Sequence, residues 1–102
     1  MVTLVRIDTT GAVPYNTPQF VRRVANCCGF LVTNTGDAIA YVNDRILYPG
    51  VPGTNNGDSF VLTCNAGEVF LGNIAIKFGP GANPGVTVEQ KFYVFDCKIV
   101  YQ

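Results

Sequence analysis

The apolar residues of this chain alternate with polar ones over short stretches, and glycine, proline or asparagine ends most of these stretches. No segment of the sequence carries apolar residues at positions i, i+3, i+4 and i+7 over three helical turns. A period of two is that of a β-strand that buries one face. The pattern therefore predicts an all-β protein and argues against long amphipathic helices.

The clearest local signal is a predicted hairpin followed by a second turn. Residues 30–33 and 38–42 alternate as strands do, and residues 34–37 (NTGD) supply the Asn and Gly that tight turns need. A second turn at Asn43 and Asp44 leads into a short strand at residues 46–48. We expect residues 30–42 to form a hairpin.

The segment before this hairpin predicts one strand and one extended piece. Residues 2–7 alternate as a first strand, which residues 8–11 (DTTG) should end. Residues 14–18 begin and end with proline, which disfavours an inner strand, so we expect an irregular connection there. Residues 19–26 then continue as extended chain.

The segment after the hairpin predicts three further extended pieces. Residues 59–64 form a strand, residues 65–67 a turn, and residues 68–78 a piece broken at Gly72. In residues 86–101 the apolar positions change from even to odd after Val94. A flat strand of that length would measure about 53 Å, so we expect a bulge or bend near residues 94–95.

Length and composition agree with one small globular domain. The chain has 102 residues, of which 48% are hydrophobic and 14% charged, and such a composition excludes a disordered chain. We expect residues 1–102 to form a single antiparallel β-sandwich or jelly-roll-like domain. Seven basic and seven acidic residues give zero net charge, which offers little to nucleic-acid phosphates. No apolar run approaches the roughly 20 residues of a membrane span, so we expect neither nucleic acid nor membrane as a partner.

The four cysteines are Cys27, Cys28, Cys64 and Cys97, and the sequence has no histidine. Their spacing is not that of a zinc site, and a nucleophilic cysteine would need a histidine beside it, so we expect no metal and no catalytic thiol. The N-terminus is not that of a secretory signal, and we expect synthesis in the cytoplasm with the cysteines as thiols. Cys64 and Cys97 should be buried in strands. A disulfide formed after release into oxidising surroundings is the alternative.

The acidic residues predict turns and solvated positions rather than a catalytic pair. Calcium spacing is absent, and acids in turns bond their own backbone. We therefore predict no catalytic, cofactor-binding or metal-binding residue and no cofactor. The acids to which this applies are Asp8, Asp37, Asp44, Asp58, Glu68, Glu89 and Asp96.

Two further groups of side chains suggest contacts. Arg22 and Arg23 should point to opposite faces of a strand, which favours a salt bridge or subunit contact over a phosphate site. Exposed Tyr15, Tyr41 or Tyr48 would offer a stacking platform for a glycan.

Two loops rich in glycine and proline have few side chains to bury. They are residues 49–58 (PGVPGTNNGD) and residues 79–85 (GPGANPG), and the second lacks the Lys-Ser/Thr and helix of a phosphate loop. Because such loops cannot anchor themselves by burial, we predict that at least one contacts a neighbouring subunit or an anchoring surface. Two plain solvent loops are the alternative.

Residues 30–50 (FLVTNTGDAIAYVNDRILYPG) resemble small β-sandwich virion proteins of tailed bacteriophages, and the later DSF and NAGE pieces fit the same layout. The resemblance implies a capsid decoration protein or a head fibre, commonly trimeric. It carries over no catalytic or binding residue.

These observations together predict a non-enzymatic structural protein of the virion that binds other virion or capsid proteins. A domain of this size hides only about 60–68% of its surface, so a chain with few charges leaves apolar surface that another subunit can cover. We expect a homo-oligomer, with a trimer favoured. The alternative function is a carbohydrate- or receptor-binding β-sandwich module.

Overall fold

The structure is a computed structural model that describes residues 2–51 and 57–98, with the backbone alone for residues 2–4 and 96–98. Those residues contain eight β-strands and no helix. The strands are β1 (Val2–Tyr15), β2 (Gln19–Val21), β3 (Cys27–Asn34), β4 (Ala40–Val42), β5 (Arg45–Leu47), β6 (Ser59–Thr63), β7 (Ile74–Phe78) and β8 (Val86–Lys98).

The strands form two four-stranded antiparallel sheets. The order is β1-β8-β3-β6 in the first sheet and β2-β7-β4-β5 in the second. The first strand pairs with the last, β2 with β7, β3 with β6 and β4 with β5. The chain is thus one long hairpin rolled into two sheets, which is a jelly roll. The predicted all-β antiparallel sandwich is confirmed.

The tip of this long hairpin is the turn between β4 and β5. Val42 pairs with Arg45, and the two residues between them, Asn43 and Asp44, have φ angles of 46° and 69°. Two positive φ angles are those of a type I′ turn, which Asn and Asp tolerate better than most residues. The predicted turn at these two residues is confirmed.

The core lies between the two sheets and takes alternate residues from the strands. From Phe30 onward in β3, at Ile74 and Ile76 of β7, and as far as Gln90 in β8, buried side chains alternate with more exposed ones. Burial of these apolar side chains is the main stabilising contribution to a domain of this kind. The largest members are Val21, Phe30, Val32, Val42, Leu47, Ile74, Ile76, Val86 and Val88.

Two buried polar side chains hold the ends of the strands together. The Asn34 amide nitrogen donates to the carbonyls of Ala38 and Leu47 at 2.8 and 2.9 Å. Gln90 accepts from the Val24 amide at 2.8 Å and donates to the Arg22 carbonyl at 3.1 Å. Each side chain binds backbone of the segments that cross to the second sheet, so its hydrogen bonds fix how the sheets are joined.

The predicted end of the first strand is wrong, because β1 continues past it through a β-bulge. Thr9 pairs with Lys91 and Ala12 with Glu89, so Thr10 and Gly11 together face the single residue Gln90. Gly11 has a φ of 74°, and the Thr10 hydroxyl accepts the Gln90 amide at 3.1 Å. The turn-forming DTTG sequence therefore makes a bulge in β1. Because β1 is an edge strand, it also tolerates Pro14 near its end.

The predicted hairpin over residues 30–42 is also wrong, since β3 and β4 belong to different sheets. Strand β3 is already paired with β8 on one side and β6 on the other. Both of its edges are occupied, so the returning chain cannot pair with it. The residues of the turn cross to the second sheet, where β4 pairs with β5 and β7.

The later predictions hold in part. The strand at residues 59–64 is confirmed as β6, and the turn after it contains Gly67 with a φ of 82°. Of the extended piece predicted over residues 19–26, only residues 19–21 form a strand, which is β2. Of the piece predicted over residues 68–78, only residues 74–78 form a strand, which is β7.

The last strand has no bend at residues 94–95. Its ladder to β1 keeps one register from Lys91 to Lys98. The register shift between the two strands is the bulge of β1, which lies opposite Gln90. The apolar positions change because β8 leaves the sandwich after Phe92, where its pairing with β3 ends. Residues 99–102 of the predicted strand lie outside the described residues.

Candidate assembly interface

Strands β1 and β8 extend together beyond the rest of the first sheet. Strand β3 pairs with β8 as far as Phe92, whereas β1 pairs with β8 as far as Lys98. Residues 2–7 and 93–98 therefore form a two-stranded projecting ribbon, and the described molecule measures 62 × 26 × 20 Å. Two strands alone bury too little to be stable in water, so a ribbon of this kind gains stability when another surface covers it.

One face of the projecting ribbon carries apolar side chains. Val5 lies opposite Phe95 and Ile7 opposite Tyr93, and residues directly opposite in a ladder share a face. The Tyr93 and Phe95 rings lie 6.4 Å apart. Val5, Ile7 and Phe95 are 56%, 58% and 55% exposed. These three side chains face water although their chemistry suits a core.

The open edge of β1 is a second feature of the same region. The Tyr93 amide donates to the Asn26 carbonyl at 3.0 Å. The Asn26 carbonyl lies on the side of β8 away from β1, so the Tyr93 amide points away from β1. Ile7, opposite Tyr93, thus occupies a non-hydrogen-bonded pair, and its own amide and carbonyl face the outer edge of β1. A long edge strand with such unpaired groups can accept another strand.

The apolar face continues onto the sandwich as a groove of about 480 Å³. Gly29 lies between Lys91 of β8 and Thr63 of β6, and it lines the groove without adding a side chain. We call this feature the outer groove. Its apolar lining includes Ile7, Leu31, Val61, Ala66 and Tyr93.

The charges at the outer groove balance each other. Glu89 and Lys91 both line it, two residues apart on β8. Val61, on the β6 side, is 57% exposed. Burying half of a large apolar side chain contributes about 1 kcal/mol, so the exposed residues of the ribbon and groove together can supply several kcal/mol to an interface. A surface with one charge of each sign can also face a copy of itself without net repulsion.

The described cysteines are thiols, and their burial differs. Cys27 and Cys28 are buried, as expected of small apolar residues. The Cys27 sulfur donates to the Gly29 carbonyl at 3.5 Å, and burial raises the pKa of this thiol. The prediction for Cys64 is wrong in detail, because it lies one residue beyond β6 and is only partly buried. The side chain of Cys97 lies outside the described residues.

Asp44 lies in a turn as predicted, whereas the carboxylates of Asp37 and Asp58 bond backbone amides 46 and 10 positions away instead of their own backbone. The Asp37 carboxylate accepts the Asn83 amide at 2.9 Å, the Asp58 carboxylate accepts the Tyr48 amide at 3.0 Å, and Asp44 lies in the hairpin tip. Across residues 2–51 and 57–98, no three acidic or cysteine side chains are grouped so as to hold a metal ion. The side chain of Asp96 lies outside this part of the chain.

Asp8 differs from these because it pairs with a basic side chain. Its carboxylate accepts the Thr9 amide at 2.8 Å and an Arg6 guanidinium nitrogen at 3.1 Å. These hydrogen bonds lower the pKa of Asp8. Both side chains are exposed, so the pair contributes little to the free energy of unfolding.

Arg22 and Arg23 do not lie on a strand, since β2 ends at Val21. The prediction that they point to opposite faces of a strand is therefore wrong, and both line one shallow depression together with Leu71. Neither arginine forms an ion pair with an acid among the described residues. Their role in a subunit contact stays a prediction.

The three tyrosines are not equivalent. Tyr15 packs against the core and is only partly exposed, so the prediction of exposure is wrong for it. Tyr41 and Tyr48 are 36% and 56% exposed. Tyr41 lies opposite Ile46 on the outer face of the second sheet. A glycan platform on this side stays a prediction.

The loop of residues 79–85 is held by hydrogen bonds rather than by burial. The Gly85 carbonyl accepts the amides of Thr35 and Gly36 at 3.0 and 3.1 Å, and the Asn83 carbonyl accepts the Asp37 amide at 3.0 Å. A Cβ atom at Gly36 would meet the Asn83 carbonyl at 2.4 Å, so only glycine allows this approach. The loop is therefore anchored without burial, and its contact with a neighbouring subunit or an anchoring surface stays a prediction. Of the other loop, residues 52–56 lie outside the described part.

The projecting ribbon and the outer groove were not predicted as one surface. One sign of it was present in the sequence, where the apolar positions of the last strand change from even to odd after Val94. Phe95 is such an odd position, and it shares the outward face with Tyr93. The sequence does not show that β1 pairs with β8, and this pairing is what brings Val5 and Ile7 beside them.

The comparisons with known proteins give no match: no family model, no curated protein and no solved structure is significantly similar to this chain. The described residues also include no helix of the length and hydropathy needed to cross a membrane.

Proposed function

We propose that this chain is a non-enzymatic structural subunit of a bacteriophage virion, of the capsid decoration, cement or head-fibre type. In this proposal the protein assembles as a homotrimer and attaches to other virion or capsid proteins. It is made in the host cytoplasm and ends in the particle.

The observation that carries the proposal is the apolar face of the projecting ribbon and its continuation into the outer groove. Val5, Ile7 and Phe95 are each more than half exposed, and none belongs to the core. Contiguous exposed apolar surface of this kind is typical of protein–protein contact sites. A role in assembly explains why a small domain keeps these residues outside.

The jelly roll supports the same class of function. Double-sheet jelly rolls are used by viral capsid proteins and by lectins, among others. A fold by itself does not determine function, so this support is secondary to the exposed face. The resemblance of residues 30–50 to small virion proteins adds to it.

The test is to follow the protein through particle purification. Antibody raised against the purified chain is used on density-gradient fractions of particles from the organism that carries the gene. The proposal expects the chain in the particle fraction at a fixed copy number that survives a salt wash. Its presence in the soluble fraction alone would contradict the proposal.

The second candidate function is a carbohydrate- or receptor-binding module. It is favoured by exposed Tyr41 and Tyr48, because aromatic rings can stack on sugar faces. A glycan array separates the two candidates. Saturable binding that Tyr41→Ala and Tyr48→Ala remove would favour this second function, and absence of binding would favour the structural one.

A further inference from the structure

We propose that Cys28 and Cys64 are a redox pair that closes a disulfide between β3 and the end of β6. This inference goes beyond the proposed role in assembly and does not depend on it. It assigns one specific pairing among the four cysteines of the chain.

The register of the β3–β6 ladder carries the inference. Gly29 pairs with Thr63, so the next position in the antiparallel register sets Cys28 opposite Cys64. The Cys64 amide donates to the Cys28 carbonyl at 3.2 Å, which shows that the pairing continues one residue past the strand.

Opposite positions in an antiparallel ladder suit a disulfide. Their Cα atoms lie about 4.5–5.5 Å apart, and disulfides span Cα distances of about 4.4–6.8 Å. The side chains of opposite residues also point to the same face of the sheet. The backbone hydrogen bond between Cys28 and Cys64 keeps their backbones adjacent, and both residues line the outer groove.

The third described cysteine is a poorer partner. Cys27 is fully buried in the core cluster, and its sulfur donates to the Gly29 carbonyl. Cys28 and Cys64 both line the outer groove, where a small oxidant can reach them. Cys64 is only partly buried, which makes it the first thiol to react with the oxidant. Partial burial, with Glu68 and Cys28 nearby, raises the pKa of Cys64, so the reaction is faster at mildly alkaline pH.

The chemistry is thiol–disulfide exchange with a small disulfide such as glutathione disulfide. The thiolate of Cys64 attacks one sulfur of the oxidant, and one glutathione leaves as a thiolate. The thiolate of Cys28 then attacks the mixed disulfide and releases the second glutathione. Overall the two cysteines lose two electrons and two protons, and the glutathione disulfide is reduced to two glutathione thiols.

The experiment treats the purified full chain with glutathione disulfide at mildly alkaline pH, blocks the remaining thiols with N-ethylmaleimide and measures intact mass. Trypsin then separates the cysteines, because cleavage after Arg23, Arg45, Lys77, Lys91 and Lys98 places them in peptides 24–45, 46–77 and 92–98. We expect a chain lighter by two hydrogen atoms, two blocked thiols, and peptide 24–45 linked to peptide 46–77.

Variants identify the bonded cysteine within peptide 24–45. Cys27→Ser should keep the link, whereas Cys28→Ser and Cys64→Ser should each abolish it, and circular dichroism checks that all three fold. A glutathione adduct without the link, a link to peptide 92–98, or a link that survives in Cys28→Ser and is lost in Cys27→Ser would overturn the proposal.

Discussion

Ile7 lies opposite Tyr93 in the ladder that joins the first strand to the last, at a non-hydrogen-bonded position where side chains approach most closely. Ile7 is nevertheless 58% exposed. The pair sits where the projecting ribbon meets the outer groove, since both residues line that groove. It therefore links the two parts of the candidate interface.

The first prediction concerns this position. Ile7→Asp should dissociate the oligomer into folded monomers, because a carboxylate in an apolar interface loses its hydration without gaining a partner. The measurement is molar mass by light scattering, with circular dichroism as the check on folding. The free energy of unfolding of the monomer should change by less than about 1 kcal/mol, as for an exposed position.

Ile46→Asp is the matched control for that variant. Ile46 also lies on a strand and is 49% exposed, but it belongs to the outer face of the second sheet. It should leave the molar mass unchanged. If Ile46→Asp dissociates the oligomer and Ile7→Asp does not, the interface lies on the second sheet.

The second prediction concerns the buried amide of Asn34. Asn34→Leu should lower the free energy of unfolding by about 3–5 kcal/mol, because it removes the side-chain donor of the buried Ala38 and Leu47 carbonyls. Urea denaturation measures the change. Thr33→Val removes the exposed hydroxyl contact to Ser59 and should cost less than about 1 kcal/mol. Equal losses for both variants would contradict the assigned role of Asn34.

The third prediction concerns the hairpin tip. Asp44→Gly should raise the free energy of unfolding by about 0.5–1 kcal/mol, because glycine adopts the φ of 69° without steric cost. Asp44→Val should lower it by about 1–2 kcal/mol, since a β-branched residue is disfavoured there. Thermal denaturation of both variants checks the sign, and a stabilised valine variant would exclude the type I′ turn.

The fourth prediction concerns pH and the Cys27 thiol. Burial raises its pKa above the ordinary value of 9.0, so the folded state keeps a proton that the unfolded state releases. Stability is therefore complete below that ordinary value and falls as the pH rises from it through the pKa of the folded state. Cys27→Ala should flatten this fall in urea denaturation between neutral and alkaline pH.

Val32→Ala is the control for the pH experiment, because Val32 is fully buried and does not titrate. It should lower stability equally at every pH and keep the alkaline slope. An unchanged slope in Cys27→Ala would show that other groups cause the fall.

The sequence predicts local features of this fold better than its long-range pairings. The turn at Asn43 and Asp44 follows from two adjacent residues that tolerate positive φ, and the structure has it there. The crossover after Asn34 has equally good turn residues, but whether a hairpin forms depends on β8 and β6, which occupy both edges of β3. No local pattern contains that information.

The candidate interface could not be predicted for the same reason. Val5 and Phe95 are 90 positions apart in the sequence and become neighbours only through the ladder of the first and last strands. Each lies in an alternating stretch that predicts one buried face, and nothing in the stretch tells whether that face meets the core or another molecule. The turn role of Asp44 is local and could be predicted, whereas the hydrogen bonds of Asp37 and Asp58 reach residues 46 and 10 positions away and could not.

The molar mass of the unmodified protein in solution tests the central claim most directly. Light scattering at tens of micromolar, under reducing conditions so that disulfides do not contribute, should give about three times the chain mass of 11.0 kDa. That result would show self-assembly of the chain, which the Ile7→Asp and Ile46→Asp variants then assign to one of the two sheets. A mass of 11.0 kDa across the whole concentration range would contradict self-assembly through this face.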